Sequence, residues 1–265
     1  MTLTVSTVNV NGLRAAAKKG FSEWLAATPA DVVCLQEVRA SLADLGELAT
    51  PEGWHVVHAE SGLLKGRNGV AVLSRDPFDA VRVGFGVPEF EASGRYAEAW
   101  LPGLVVASVY VPSGEVGTLR QEQKERFMAT FLPYLVELRE KALAGGCDVL
   151  VCGDWNIAHQ QCDLKAWKAN RKSSGFTPEE REWMGRVFAE GGYRDVQRQL
   201  QPEGPGPYTW WSYRGKAFDN DSGWRIDYQV ATPGLAVRAR SAVVERAASY
   251  GERWSDHAPL TVEYA

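Results

Sequence analysis

A layered α/β chain, with one β-sheet laid on another and helices outside, is the fold this sequence predicts. Three observations carry that prediction. Short apolar runs of strand length recur from the first residues to the last. The helical stretches between them are few. Gly and Pro are spread evenly instead of gathering into a linker. The composition agrees, because 265 residues with 45% hydrophobic and 23% charged describe an ordinary globular chain and exclude disorder, collagen-like repeats and coiled coil. One domain over residues 1–265 is the expectation.

Residues 3–10 alternate, with Leu3, Val5, Thr7 and Asn9 on one face and Val8 and Val10 on the other, which predicts a strand. Residues 13–28, rich in Ala and Lys and closed by Pro29, predict a helix. The run 31–38 predicts a buried strand, and 68–74 another, entered through the Asn68-Gly69 turn. Residues 100–111 predict a strand after a break at Pro102-Gly103, and 118–144 a long helix bent or split at Pro133. Residues 148–152 form a further buried run that ends at Gly153-Asp154. Thr177, Pro178 and Glu180 spell a helix start, with Thr as N-cap, Pro in the first turn and Glu completing a capping box. The runs 225–232 and 257–264 predict the last strands, and 202–207 (PEGPGP) a loop. One internal echo stands out: 31–37 and 148–154 each run from an Asp through a buried strand to an acid.

The formal charge of −4 and pI near 5.7 point, taken alone, away from nucleic acid. An enzyme that holds a cation on carboxylates needs acids, however, and a basic rim is compatible with a negative total. The first ten residues carry no Lys or Arg, unlike a signal peptide, and no apolar run reaches membrane-spanning length. Cys34, Cys147, Cys152 and Cys162 lack CxxC spacing and read as reduced thiols. A soluble, cytoplasmic protein is expected.

The chemistry concentrates where apolar strands end in polar residues: Asn9 and Asn11, Glu37, Tyr110, Asp154 and Asn156, Asp227, and Asp256-His257. A carboxylate ending a buried strand is costly unless a cation or donors meet it. Several converging at one rim make an oxygen-rich site suited to Mg²⁺, with Mn²⁺ as a substitute. Zinc fits poorly, since His55, His58 and His159 show no metal-ligand spacing. Taken singly, each residue also has a structural reading: Glu37 and Asp154 as turn or helix caps, Asn9 to Gly12 as a turn, His257 as a satisfied core histidine. Asp227, an acid within an apolar strand, demands a partner.

In this order the residues resemble the exonuclease III type of AP endonuclease, within the endonuclease/exonuclease/phosphatase superfamily that shares the DNase I fold. The resemblance rests on NVNGLRA from Asn9, CLQE ending at Glu37, YVPSG from Tyr110, GDWN over Asp154 and Asn156, GFTPEER from Gly175, GWRIDY over Trp224 to Tyr228, and SDHAP from Ser255. GFTPEER and GWRIDY are the pieces specific to DNA repair. The resemblance implies a four-layer αββα sandwich. It also implies Mg²⁺-dependent cleavage of double-stranded DNA on the 5′ side of abasic sites, leaving a 3′-hydroxyl, with activity on blocked 3′ ends.

It further implies roles. Glu37 is the principal metal ligand, with Asn9 and Asp256 beside it, and Asp154, Asn156 and His257 also border the metal. Asp154 activates the attacking water. Tyr110, Asn156 and His257 donate to the phosphate oxygens, and Asp227 orients His257. The position of Asn11 is an Asp in many family members and an Asn in others. Arg14, Asn11, Asn68, Lys168, Asn170, Arg171 and Ser173 border the DNA, and Trp210, Trp224 and Ile226 match the pocket for a flipped abasic sugar. Ser113 and Ser173 depart from the family pattern.

The residues by themselves leave alternatives open: an enzyme that is mainly a 3′→5′ exonuclease or 3′-phosphodiesterase, a phosphodiesterase for RNA or lipid headgroups, or a non-catalytic DNA-binding module. A monomer is the expectation from the resemblance.

Overall fold

The computed structural model describes residues 2–265. Its strands are β1 (Leu3–Asn9), β2 (Val32–Gln36), β3 (His55–Ala59), β4 (Val70–Ser74), β5 (Ala80–Val83), β6 (Tyr96–Leu101), β7 (Leu104–Tyr110), β8 (Asp148–Asp154), β9 (Arg194–Asp195), β10 (Asp227–Ala231), β11 (Ala239–Val244) and β12 (Leu260–Tyr264). Its α-helices are α1 (Leu13–Ala17), α2 (Phe21–Ala27), α3 (Leu42–Leu45), α4 (Pro88–Glu91), α5 (Leu119–Ala144), α6 (Trp167–Asn170), α7 (Pro178–Ala189), α8 (Val196–Leu200) and α9 (Pro233–Ala236). The strands form two six-stranded sheets, ordered β11-β12-β1-β2-β4-β3 and β5-β6-β7-β8-β10-β9.

Three apolar clusters define four layers. Between the sheets lie Val5, Cys34, Val70, Val106, Leu150, Cys152 and Val262. Outside the first sheet, Val8, Val33 and Ala71 meet Leu13, Phe21 and Leu25 of α1 and α2. Outside the second, Val105, Val149 and Val230 meet Phe127, Phe131 and Leu135 of α5 and Trp183 and Met184 of α7. The sandwich is therefore α/β/β/α, as expected, with the two faces of β1 divided as its alternation predicts. No helix among the described residues is long and apolar enough to cross a membrane. All four cysteines are free thiols.

The internal echo occupies equivalent places. In each sheet a parallel pair, β1·β2 or β7·β8, lies at the centre, connected through helices and flanked by antiparallel neighbours. The two echoing segments are β2 and β8, and their C-terminal ends deliver Glu37 and Asp154 to the same edge of the sandwich.

Several elements differ from expectation. The helix predicted over 13–28 is two helices, because Gly20 adopts φ 122 and turns the chain between them. Helix α5 runs unsplit through Pro133; its inward Phe127, Phe131 and Leu135 pack on the sheet and outweigh the lost backbone bond. The strand predicted over 31–38 stops at Gln36, since Glu37 takes φ 50 and leaves the ladder. The last two strands begin later than predicted, at Asp227 and Leu260. Of the unforeseen strands, β3, β5, β9 and β11 lie at sheet edges and β6 lies next to one, forming with β7 a hairpin through the Pro102-Gly103 break. Every residue of β5 is exposed, so it lacks the buried face that periodicity detects.

Candidate active site

The edge where β1, β2 and β8 end carries left-handed residues: Asn11 (φ 47), Glu37 (φ 50), Arg39 (φ 54), Asn68 (φ 52) and Asn156 (φ 52). Asparagine enters this region readily, whereas Glu and Arg pay of order 1 kcal/mol there. The turn at each residue swings its side chain out of the ladder and over the sheet edge. Gly153 is required by its neighbours: at φ 147, a Cβ would lie 2.0 Å from the Val109 carbonyl oxygen.

The site builds outward from Asn9, which is fully buried. Its Nδ2 donates to Glu37 Oε1 at 2.8 Å and to Asp154 Oδ2 at 2.9 Å, so one amide joins the acids of both sheets. Its Oδ1 accepts from the backbone N–H of Asn11 at 2.9 Å. Asn11 Nδ2 in turn donates to Asp256 Oδ1 at 2.8 Å, and Trp210 Nε1 to Asp256 Oδ2 at 3.0 Å. Ser255 Oγ donates to the Asn9 carbonyl at 2.6 Å and accepts from the His257 N–H at 3.2 Å, which binds the last motif to the first.

Asp227 stands directly opposite Asp154 in the β8·β10 ladder. Its Oδ2 lies 2.8 Å from His257 Nδ1, while His257 Nε2 faces Asp154 Oδ2 at 3.8 Å. Asp154, Asp227 and His257 bring one ligand atom each within 4.8 Å of one another, and all three are buried. Thr209 Oγ1 accepts from the backbone N–H groups of Ile226 and Asp227, both at 3.2 Å, and so fixes the entry to β10. Asn156 donates its backbone N–H to Asp154 Oδ1 at 2.9 Å and its side-chain Nδ2 to the Val111 carbonyl at 2.9 Å.

Electrostatics follow from burial and crowding. Asp154 is raised to about 7, first by loss of water and then by Asp227 and Glu37, against the opposing pull of His257 and Asn9. For His257 burial disfavours the charged ring, but Asp227, then Asp154 and Asp256, prevail and raise it to about 10. Burial pushes the Tyr110 hydroxyl well above its usual range, and Glu37 and Asp154 add to the effect. The guanidinium of Arg95 lies 4.8 Å from the centre of the Tyr110 ring.

Glu37, Asp154 and Asp256 offer hard carboxylate oxygens at this edge, a set that fits Mg²⁺ and not a soft metal; Asn9, expected as a ligand, instead turns its Nδ2 to the acids, with its Oδ1 held by the Asn11 N–H. Asp227 Oδ1 is buried without a hydrogen-bond partner, which marks unmet demand for positive charge or a donor. Glu37 is paired with Arg39, which is half-exposed.

Of the expected rim, Trp210, Trp224 and Ile226 come together with Ala158, Leu164 and Phe176 as one apolar cluster. Trp210 sits 6.3 Å from Trp224 and 6.4 Å from His257, centre to centre, so this cluster adjoins the imidazole. Arg14 lines a groove with Lys18 and Arg39 beside the acids. Lys168 and Arg171 are exposed on and after α6, where Ser173 Oγ donates to Asn170 Oδ1 at 3.1 Å. Asn68 is turned to the Ser93 carbonyl at 2.9 Å and ties a loop. Residues outside the expected set are Arg39, Thr209, Arg95 and Lys124. Of these Lys124 had a signal, being a charge on the apolar face of α5.

The sequence profile of the Endonuclease/Exonuclease/phosphatase family matches residues 6–257. The chain is 37% identical to an exodeoxyribonuclease of Bacillus subtilis (strain 168) over 253 residues, 95% of each chain. It is 34% identical to the DNA repair nuclease APEX1 of Danio rerio, covering 98% of this chain and 81% of that one. Among solved structures, the 3′ phosphatase NExo from Neisseria, bound to a product DNA hairpin, superposes with a TM-score of 0.89 at 29% identity over 99% of both chains.

Proposed function

Because this chain belongs to the endonuclease/exonuclease/phosphatase family, we propose that it is a DNA-repair phosphodiesterase cutting the backbone 5′ to abasic sites. It leaves a 3′-hydroxyl and uses the same residues for 3′→5′ exonuclease and 3′-end-cleaning activity. The observation that carries this reading is the apolar Trp210–Trp224–Ile226 cluster beside His257, whose two indoles are only partly buried. An extruded sugar without a base can rest against such a surface, and extrusion costs least when no base must be unstacked.

Asp154 accepts a proton from the attacking water. A base raised to about 7 is matched to neutral operation. His257, protonated and held by Asp227, donates Nε2–H to a non-bridging phosphate oxygen, where charge gathers as the water oxygen bonds to phosphorus. Asn156 and Tyr110 donate to the same group. The bond from phosphorus to the 3′-oxygen breaks, and that oxygen takes a proton to become the 3′-hydroxyl. Glu37 and Asp256 would hold Mg²⁺, with Asn9 steadying Glu37 through its amide; when bound, the cation neutralises the phosphate and the leaving oxygen. Arg14, Asn11, Lys168, Asn170, Arg171 and Ser173 border the duplex. Asn68 shapes the loop on which Arg39 rests.

The likeness to a 3′ phosphatase favours a second reading, in which 3′-end processing is the main activity and incision the lesser. Both readings expect one catalytic domain across 1–265, acting as a monomer on chromosomal DNA in the cytoplasm. An end-labelled duplex with one abasic-site analogue, incubated with Mg²⁺ or with EDTA, tests the first reading. A matched duplex ending in 3′-phosphoglycolate tests the second. Metal-dependent incision immediately 5′ to the lesion supports the first; cleavage confined to 3′ ends supports the second; no cleavage of either duplex sinks both.

A further inference from the structure

The inward face of α5 contains Gln121, Lys124, Phe127, Met128, Phe131 and Leu135. Lys124 is the charged member, and its side chain is wholly buried. An ammonium in such a place must be fully partnered. Glu180, the last member of the α7 capping box, lies 2.8 Å from Nζ and is itself wholly buried. The carboxylate is satisfied on its other side by the backbone N–H groups of Gly175 at 2.6 Å and Thr177 at 3.1 Å.

A counter-ion for Glu180 would need nothing more, yet Nζ makes a second bond, to the carbonyl oxygen of Asn156 at 2.8 Å. That carbonyl belongs to a residue at φ 52, just beyond the end of β8, where no ladder neighbour is supplied. The other side of the same peptide group is enclosed: at Gly175 (φ 90) a Cβ would approach the Asn156 oxygen to 3.0 Å. Asn156 is thus gripped by its carbonyl on one side and by Asp154 and Val111 on the other.

We propose that Lys124 is a positioning residue, whose ammonium holds the Asn156 carbonyl and thereby fixes the Asn156 amide beside Asp154, where it is to meet the phosphate. The proposal rests on the role given to Asn156 above. The Lys124 side chain is wholly buried, so its removal acts on turnover through Asn156 and leaves DNA binding in place.

Two variants isolate the bond. Glu180→Gln keeps an amine on the Asn156 carbonyl; it lowers Tm because Lys124 loses its counter-ion, but the folded enzyme is expected to lose only about threefold in kcat. Adding Lys124→Met to Glu180→Gln removes the donor without leaving a buried unpaired charge. This double variant is expected to lose on the order of 100-fold in kcat, with unchanged affinity for duplex DNA in EDTA. Equal kcat in the two variants, or a loss expressed as weaker DNA binding, overturns the proposal. A wild-type measurement stands apart from cleavage and from variant folding: an NMR correlation across the hydrogen bond from Lys124 Nζ to the Asn156 carbonyl carbon. Its presence supports the positioning bond, and its absence with both signals visible overturns it. A wild-type protein that cuts no DNA but shows this correlation would refute the proposed function and leave the positioning bond standing.

Discussion

His257 Nδ1 lies 2.8 Å from Asp227 Oδ2, and of the side chains around His257 it is Asp227 that does most to hold the ring charged. Burial opposes the charged ring, and Asp227 is the largest of the acids that overcome it, lifting His257 from 6.5 to about 10. A folded-state value above the unfolded one means this pair stabilises the protein fully below about pH 6.5 and progressively less as pH climbs toward about 10. Asp227→Asn removes the main support, leaving burial to push the imidazole toward its neutral form. Cleavage by the variant should fall as pH rises above neutrality, with a kcat deficit on the order of 100-fold at alkaline pH and a smaller one under mildly acid conditions. A pH–rate profile parallel to that of the wild type would show that His257 does not act as the charged donor.

Asp154 supplies a prediction of opposite character. Its carboxyl is raised from 3.8 to about 7, so the folded state holds this proton more tightly than the unfolded chain does. Metal-free stability contributed by Asp154 is therefore present below pH 3.8 and lost as pH rises to about 7. Asp154→Asn abolishes the titration. In EDTA its Tm should decline less steeply across this window than that of the wild type. Cleavage should fall by on the order of 1,000-fold or more while duplex binding persists. Loss of binding in step with cleavage would refute the water-activating role.

Glu37 is held between the Asn9 amide and the Arg39 guanidinium, an arrangement a divalent cation must reorganise. Glu37→Gln removes the charge that a hard cation seeks and keeps the shape. The Mg²⁺ concentration for half-maximal cleavage should rise by at least about tenfold. Titrating Mn²⁺ calorimetrically into both proteins gives a readout free of turnover, and equal affinity would move the principal ligand elsewhere, to the Asp154, Asp227 and His257 cluster.

The parts of this site legible beforehand share one physical signature. Glu37, Asp154 and Asp227 each end or begin an apolar strand, where an acid is costly without a function, and the structure gathers them within reach of Asn9 and His257. What stayed hidden depends on backbone angles and long-range packing. Nothing in the local pattern shows that Glu37 and Asn156 leave their strands in the left-handed region, or that Gly20 divides one amphipathic stretch into two helices. The same holds for β5, whose exposed residues give no alternation, and for Thr209, an ordinary threonine until the β10 entry folds onto it. Pro133 misleads in the other direction, because the strength of packing beneath α5 cannot be read from the proline.

Trp210 supplies the test that separates the two proposed activities. Its indole Nε1 donates to Asp256 at 3.0 Å, and its ring stands between His257 and Trp224. It is only partly buried, so its exposed face is available to a sugar or base. Trp210→Phe keeps an aromatic wall without the N–H, and Trp210→Ala removes both. If the ring receives an extruded abasic sugar, the Ala variant should lose on the order of 10-fold more in abasic-site incision than in 3′-phosphoglycolate removal, and Phe should recover most of the difference. If instead the N–H on Asp256 is what matters, Phe and Ala should fail alike on both substrates. Equal loss on both substrates for Ala, accompanied by a fall in Tm, would make Trp210 a packing residue and return the 3′-end reading to first place.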